Sequence, residues 1–463
     1  MRRAGKFLAT LLLWGPLARG EGGLPGPTDP LLESCVRDAL ERRPELAQGS
    51  AQVNADRERI SQLSALPDPV LTLGIQNDGF TRYSIGKMET SWYTVMASQA
   101  FPWPGKLALR ADVARLQPGV ADAALRRSRL TVEADVRRAY VELLLVRDQL
   151  RLLGRLGALW EQSKKLAMAR YTVGEAPQSD LLRAQLEITR LRLQRLALEA
   201  REQVVVQTLN RARVHPLTES IAATSTLEQL RCPEAGSAAQ ASADAEARSP
   251  ELLQARLERQ QTERRFELAR AEQKPDFSVA AGVMPRGALE PMWQLLVGVT
   301  LPVYAHSKQD RAVAEASLRR DASNQAELAT LQLLQLRTVQ RLAVLEALGQ
   351  VNRLYRDALL VQSEATATST LAQYGVGRVP FSSALEALGG YLSDQGAYLE
   401  SMAEALRVSI AQFEVSLEEP ANGGAGGRGP SMSGGGAGGK SATSATGPGG
   451  PEASPSSNGS GAM

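Results

Sequence analysis

The chain has 463 residues, enough for two or three ordinary domains. Its charges nearly balance, 53 Lys and Arg against 50 Asp and Glu, so it lacks the basic excess that a nucleic-acid surface needs. Aromatics make up only 5%, which argues against one large compact core, and Ala, Leu, Arg, Glu and Gln dominate, as they do in long helices.

Residues 1–20 read as a secretory signal peptide. A basic start, Met1-Arg2-Arg3-Ala4-Gly5-Lys6, precedes an apolar stretch from Phe7 to Leu17, and Ala18-Arg19-Gly20 offers small residues for cleavage. That stretch is too short to span a bilayer as a helix, and no later run reaches about 18 apolar residues. Any entry of the mature chain into a membrane is therefore expected as strands. No cysteine follows the cleavage site, so no lipid anchor is expected there.

The next region, 21–236, opens with a short helix from about Asp29 to Arg42. Pro44 suits the first turn of a second helix, which Pro67 and Pro69 end near Ala65. A hairpin over 69–101 follows. Leu71, Leu73 and Ile75 alternate with Thr72, Gly74 and Gln76, and Tyr93, Val95 and Ala97 alternate with Thr94, Met96 and Ser98. Strands of about 8 to 10 residues have the length of tilted membrane strands. The apolar set is expected to face lipid and the polar set a lumen. Phe101-Pro102-Trp103-Pro104-Gly105-Lys106 closes the hairpin.

A very long helix is expected from Gly105 to Tyr171. Val132, Ala139, Val146, Leu153, Trp160 and Ala167 recur every seven residues, with Val136, Leu143, Leu150 and Gly157 four positions on. This is the seam of a coiled-coil-like assembly. Val173-Gly174 reverses the chain, and a return helix runs from Gln178 to about Arg213, with Leu181, Ala184, Ile188, Leu191, Leu198 and Val205 on its seam.

Region 237–419 repeats the plan. Arg43-Pro44-Glu45-Leu46 returns as Ser249-Pro250-Glu251-Leu252, Pro67-Asp68 as Pro275-Asp276, and Tyr171-Thr172-Val173-Gly174 as Tyr374-Gly375-Val376-Gly377, at offsets between 203 and 208. A second hairpin is expected over 276–301, then a long helix from about Ser307 to Tyr374, the Val376-Gly377 turn, and a return helix to about Leu417. The two shorter helices of each repeat should stack end to end beside the long one. Residues 420–463 are Gly- and Ser-rich and are expected to form a disordered tail. The fold class is α+β, mainly α: a helical barrel continuous with a membrane β-barrel, two tandem repeats, and four strands per protomer. Four strands cannot close a barrel, and open edges do not survive in hydrocarbon, so at least two copies must assemble.

In order and spacing, these features resemble the TolC-like outer-membrane channels of tripartite efflux pumps and type I secretion systems. The residues that carry the likeness are the two Pro-Glu-Leu starts, Pro67-Asp68-Pro69 and Pro275-Asp276, Phe101 to Lys106, Leu209-Asn210-Arg211, and the Tyr-x-Val-Gly turns. The hairpin close resembles most the branch serving heavy-metal efflux. The resemblance implies a homotrimer with twelve strands and a twelve-helix periplasmic tunnel. Its partners would be outer-membrane lipid, a periplasmic adaptor (membrane fusion) protein and an inner-membrane transporter of the resistance-nodulation-division type, with no nucleic acid. It also implies roles for single residues. The gate tyrosine falls on Tyr374, and adaptor docking on Val173, Gly174, Val376 and Gly377. Two ring aspartates fall on Ser383 and Glu386, so only the second stays acidic. The gate arginine falls on Val379, with Arg378 one residue early. Tyr171, Gly174, Asp180 and Arg183 are the first-repeat counterparts.

No catalytic constellation is readable, so no enzyme is expected. His215 and His306 lack metal-ligand spacing, and no cofactor or metal is expected. No phosphate loop or nucleophile elbow occurs. A disulfide between Cys35 and Cys232 is permitted by an oxidising compartment. The expected function is a passive exit duct for small molecules or metal ions. The alternatives are a duct for type I protein secretion and, from another class, a secreted coiled-coil scaffold without a pore.

Overall fold

In the computed structural model, residues 29–230 and 236–418 are described. The expected signal peptide, the tail over 420–463 and Cys232 lie outside them. The first repeat comprises α1 (Pro30–Arg42), α2 (Pro44–Ser64), β1 (Val70–Gln76), β2 (Trp92–Phe101), α3 (Lys106–Thr172) and α4 (Gln178–Ala212). The second comprises α5 (Ala238–Arg248), α6 (Pro250–Ala271), β3 (Asp276–Arg286), β4 (Leu289–Thr300), α7 (Gln309–Leu354), α8 (Leu360–Gly375) and α9 (Phe381–Glu414). Asp29 caps α1 by accepting from the Leu31 N–H, and Ser249 caps α6 from its side chain. Pro30, Pro44 and Pro250 open their helices, where a missing N–H removes no intrahelical bond.

α3 runs 67 residues, about 100 Å at 1.5 Å per residue. Its second-repeat counterpart, the long helix expected from about Ser307 to Tyr374, has the same total length but carries an irregular turn. It starts at Gln309, and a π-turn at Tyr355–Leu359 divides α7 from α8. A π-turn takes in an extra residue and rotates the following side chains about the axis. Here it sets Tyr355 against Tyr398 of α9, ring centroids 6.0 Å apart.

The strands form one antiparallel sheet in the order β1-β2-β3-β4. The register places Leu73 opposite Val95, Val95 opposite Val283, and Val279 opposite Val297. Leu71, Leu73, Ile75, Val95, Val279, Val297 and Val299 therefore share one face, and Thr72, Thr94, Ser98, Gln294 and Thr300 share the other. The apolar face is open, with Leu73 70% and Val297 68% exposed. The other face is more covered and carries small residues. A Cβ added at Gly282 would lie 2.8 Å from the Val95 carbonyl oxygen. That face is crowded, as the inside of a curved sheet is. Both β1 and β4 are edge strands.

The close of the first hairpin clamps the start of the second. Lys106, 3% exposed, donates from Nζ to Asp276 Oδ1 and to the Lys274 carbonyl, each at 2.8 Å. Trp103 donates its backbone N–H to the same carboxylate, and its ring stacks on Phe277. Gly105 has φ 95° at the bend, a conformation that favours glycine. The Pro-Trp-Pro-Gly-Lys segment thus fixes β2 beside β3.

α3 is the spine. α1, α2, α4, α6 and α9 all pack against it, and the main core gathers Leu32, Val53, Val136, Tyr140, Leu143, Leu144, Leu209 and Leu406 around its middle. The shorter helices meet end to end at this level. Arg127 of α3 reaches Glu251 at the start of α6 and Glu414 at the end of α9, and Arg138 also pairs with Glu414. Burial pushes the Glu414 carboxyl above its ordinary value, against the pull of the Arg138 and Arg127 charges. Arg341, 1% exposed, donates to the Glu418 carbonyl at 2.8 Å, and burial lowers its pKa to about 10. In the first repeat, His215 occupies the equivalent joint. Its Nδ1 donates to Glu219 Oε2 at 2.9 Å, and Arg42 donates to its Nε2 at 3.1 Å.

Candidate functional site at the helical tip

The candidate residues lie at the end of the helices far from the sheet. Both reversals are built alike. The Gly174 N–H bonds the Tyr171 carbonyl at 3.0 Å, and the Glu175 N–H bonds the Arg170 carbonyl at 2.8 Å. Gly377 and Arg378 make the same pair of bonds to Tyr374 and Gln373, at 3.0 and 2.9 Å. This is the Schellman termination, which places a left-handed residue just past the helix end. Gly174 and Gly377 both have φ 75°. Val173 and Val376, 69% and 71% exposed, stand at the apices.

Tyr374 and Asp180 meet, although 194 residues separate them. Tyr374, 1% exposed, donates its hydroxyl to Asp180 Oδ2 at 3.3 Å. Arg170 lies over the tyrosine ring, 5.0 Å from its centroid, and donates to the Tyr374 carbonyl at 2.6 Å. Phe381 tilts against the same ring at 5.1 Å. Burial first, and then the Asp180 charge, push the phenol up to about 12. The phenol is therefore the protonated donor and the Asp180 carboxylate the acceptor.

The other sequence-stated residues are not part of this cluster. Ser383 is half-buried and Glu386 is exposed, on the first turns of α9. Arg183 and Arg378 are exposed, and Val379 packs against the apolar tip cluster with Leu388 and Ala384. Tyr171 is 42% exposed. The residue that sequence reading passed over is Arg170. The signal was available: Arg170 stands where the second repeat has Gln373, just before the repeated tyrosine. Among the described residues no group of three or more His, Cys, Asp or Glu is placed to hold a metal, and no helix is long and apolar enough to cross a membrane.

The sheet thus has an open apolar face and two free edges, and it stands on helices of which α3 is about 100 Å long. Residues 35–213 match the outer membrane efflux protein family. A sequence search finds no match among curated proteins. Among solved structures the fold is similar to that of CusC, with TM-score 0.72 and 16% identity over 84% of this chain and 92% of that one. It is similar to VceC from Vibrio cholerae, with TM-score 0.72 and 14% identity over 83% and 95%. It is also similar to the open state of MtrE from Neisseria gonorrhoeae, with TM-score 0.70 and 18% identity over 84% and 89%. The resemblance to TolC-like outer-membrane efflux channels therefore holds. The matched family is one of the outer membrane, and the similar solved structures share the arrangement of one small sheet on long helices. The family is one of channels and not of enzymes.

Proposed function

We propose that the chain is the outer-membrane exit duct of a tripartite efflux system, assembled as a homotrimer. The observation that carries this reading is the sheet. Its open apolar face suits lipid, and its unpaired β1 and β4 edges require neighbours in hydrocarbon. Pairing β4 of one copy with β1 of the next closes a barrel, and α7, which follows β4, then lies along the neighbouring copy. Three copies give twelve strands, the number that the family resemblance implies.

The duct takes its cargo from a periplasmic adaptor and an inner-membrane transporter of the resistance-nodulation-division type, and passes small molecules or metal ions passively. The two apices, Val173-Gly174 and Val376-Gly377, dock the adaptor. They are exposed, lie far from the membrane, and are held in one conformation by their paired backbone bonds. Tyr374 and Asp180 hold the tip closed, while Ser383 and Glu386 line its mouth. Three Glu386 carboxylates around the axis favour cations.

Gly377→Trp tests the reading. A side chain at Gly377 is strained by φ 75°, and its Cβ would lie 2.9 Å from Arg170 Nη2. The variant should still assemble in the outer membrane but lose export, read as sensitivity to the pump's substrates in a strain lacking the wild-type copy. Full resistance with Gly377→Trp overturns docking at this turn.

A further inference from the structure

The tip of each chain holds one charged cradle and, at the equivalent positions of the other repeat, an uncharged copy of it. Within the chain, Arg170 and Asp180 of the first hairpin hold Tyr374 of the second. Moving each residue by the 203-residue offset gives Gln373 for Arg170, Ser383 for Asp180, and Tyr171 as the counterpart of Tyr374. Phe381, which packs on Tyr374, has Gln178 as its counterpart. The two charged partners are replaced together, so the charge balance is kept. Gln373 can still donate to a carbonyl, and Ser383 can still exchange a hydrogen bond with a phenol.

Among the described residues no tyrosine fills this second cradle. Tyr171 is 42% exposed, Gln373 is exposed, and the Gln373 amide donates to Ser369 of its own helix. In a closed ring of tip hairpins, first and second hairpins alternate. The first meets the second within a chain, and the second meets the first of the next chain. Because the two turns are built alike, the same flanks are available for either contact.

We propose that Tyr171 of one copy seats between Gln373 and Ser383 of the neighbouring copy, forming an uncharged joint between chains. The partner is thus a second copy of this chain, and the proposal rests on the trimeric duct reading. The joint between chains lacks the arginine–tyrosine–aspartate contacts and the ring pair of the joint within each chain. Charge-assisted bonds are roughly twice as strong as neutral ones, so the tip parts first between copies.

The test is site-directed cross-linking in full-length protein with Cys35 and Cys232 changed to Ser. Tyr171→Cys with Ser383→Cys, treated with a short bis-maleimide in membranes, should give covalent dimers and trimers on denaturing gels. Tyr374→Cys with Asp180→Cys should give only a bridge within one chain. A second variant, Gln373→Arg with Ser383→Asp, should charge the joint between copies and lower the conductance of single channels in planar bilayers. Trimers that form without the link between copies, or with a link only inside one chain, overturn the inference and leave the duct reading standing. Unchanged conductance of the charged variant also counts against it. Absence of a trimer from the unsubstituted chain overturns both.

Discussion

α3 and its second-repeat counterpart, α7 with the π-turn and α8, have equal length, but α3 and α7 have opposite surroundings. α3 is buried along its course, from Lys106 and Ala111 through Val136, Leu144 and Leu156 to Ala167, because helices of both repeats pack on it. α7 buries only Leu334, Thr338, Arg341 and Leu345, and leaves Leu318, Leu328, Leu336, Val339, Val351 and Leu354 exposed. A duplication should give two equivalent helices, and the asymmetry has a simple cause. α3 lies in the middle of the chain's set of columns, while α7 follows the edge strand β4 and stands on the flank. One repeat finds its packing partners inside the chain, and the other leaves an apolar side open.

Breaking that difference is the largest effect expected. Leu336→Arg with Val339→Arg places two charges on one exposed face of α7, three residues apart. The variant should keep its helical circular dichroism and lose the trimer entirely on native gels. A normal trimer would show that this face meets water instead of a second copy.

The sheet offers the next test, because it contrasts two faces of one element. Leu73→Arg, on the open apolar face, should destabilise insertion by about 2 to 4 kcal/mol if the residue lies near the bilayer midplane. Thr72→Arg, on the crowded face, should assemble better than Leu73→Arg. Folding titrations into vesicles measure both, and equal values would remove the assignment of lipid and lumen faces.

The smallest effect concerns the tip. Glu386 is exposed at the start of α9, whereas Asp180, the acid of the first hairpin, is taken up by Tyr374. Glu386→Gln should reduce cation preference and block by trivalent ions in single-channel recordings, with assembly unchanged. Unaltered selectivity would make Glu386 an ordinary solvated side chain.

Local pattern was enough to place most elements. The period-two runs around Leu73 and Val297 are strands, the seven-residue spacing from Val132 to Ala167 is a buried seam, and Gly174 and Gly377 end helices with the left-handed geometry that their motif requires. These features depend on neighbours within a few residues, so a single sequence displays them. The π-turn at Tyr355 was not readable, because no proline or glycine marks it. The Lys106–Asp276 clamp and the cluster of Arg170, Tyr374 and Asp180 were not readable either. Each joins residues more than 160 positions apart.

By itself the sequence determined the repeats, the strands and the long helices, since each follows from periodicity or punctuation. Only the tertiary structure decided which repeat supplies the buried spine, and which acid at the tip is spoken for by a tyrosine. Those choices arise when two hairpins of similar sequence dock side by side. The docking brings Arg170 and Asp180, but not Gln373 and Ser383, against a tyrosine of the same chain.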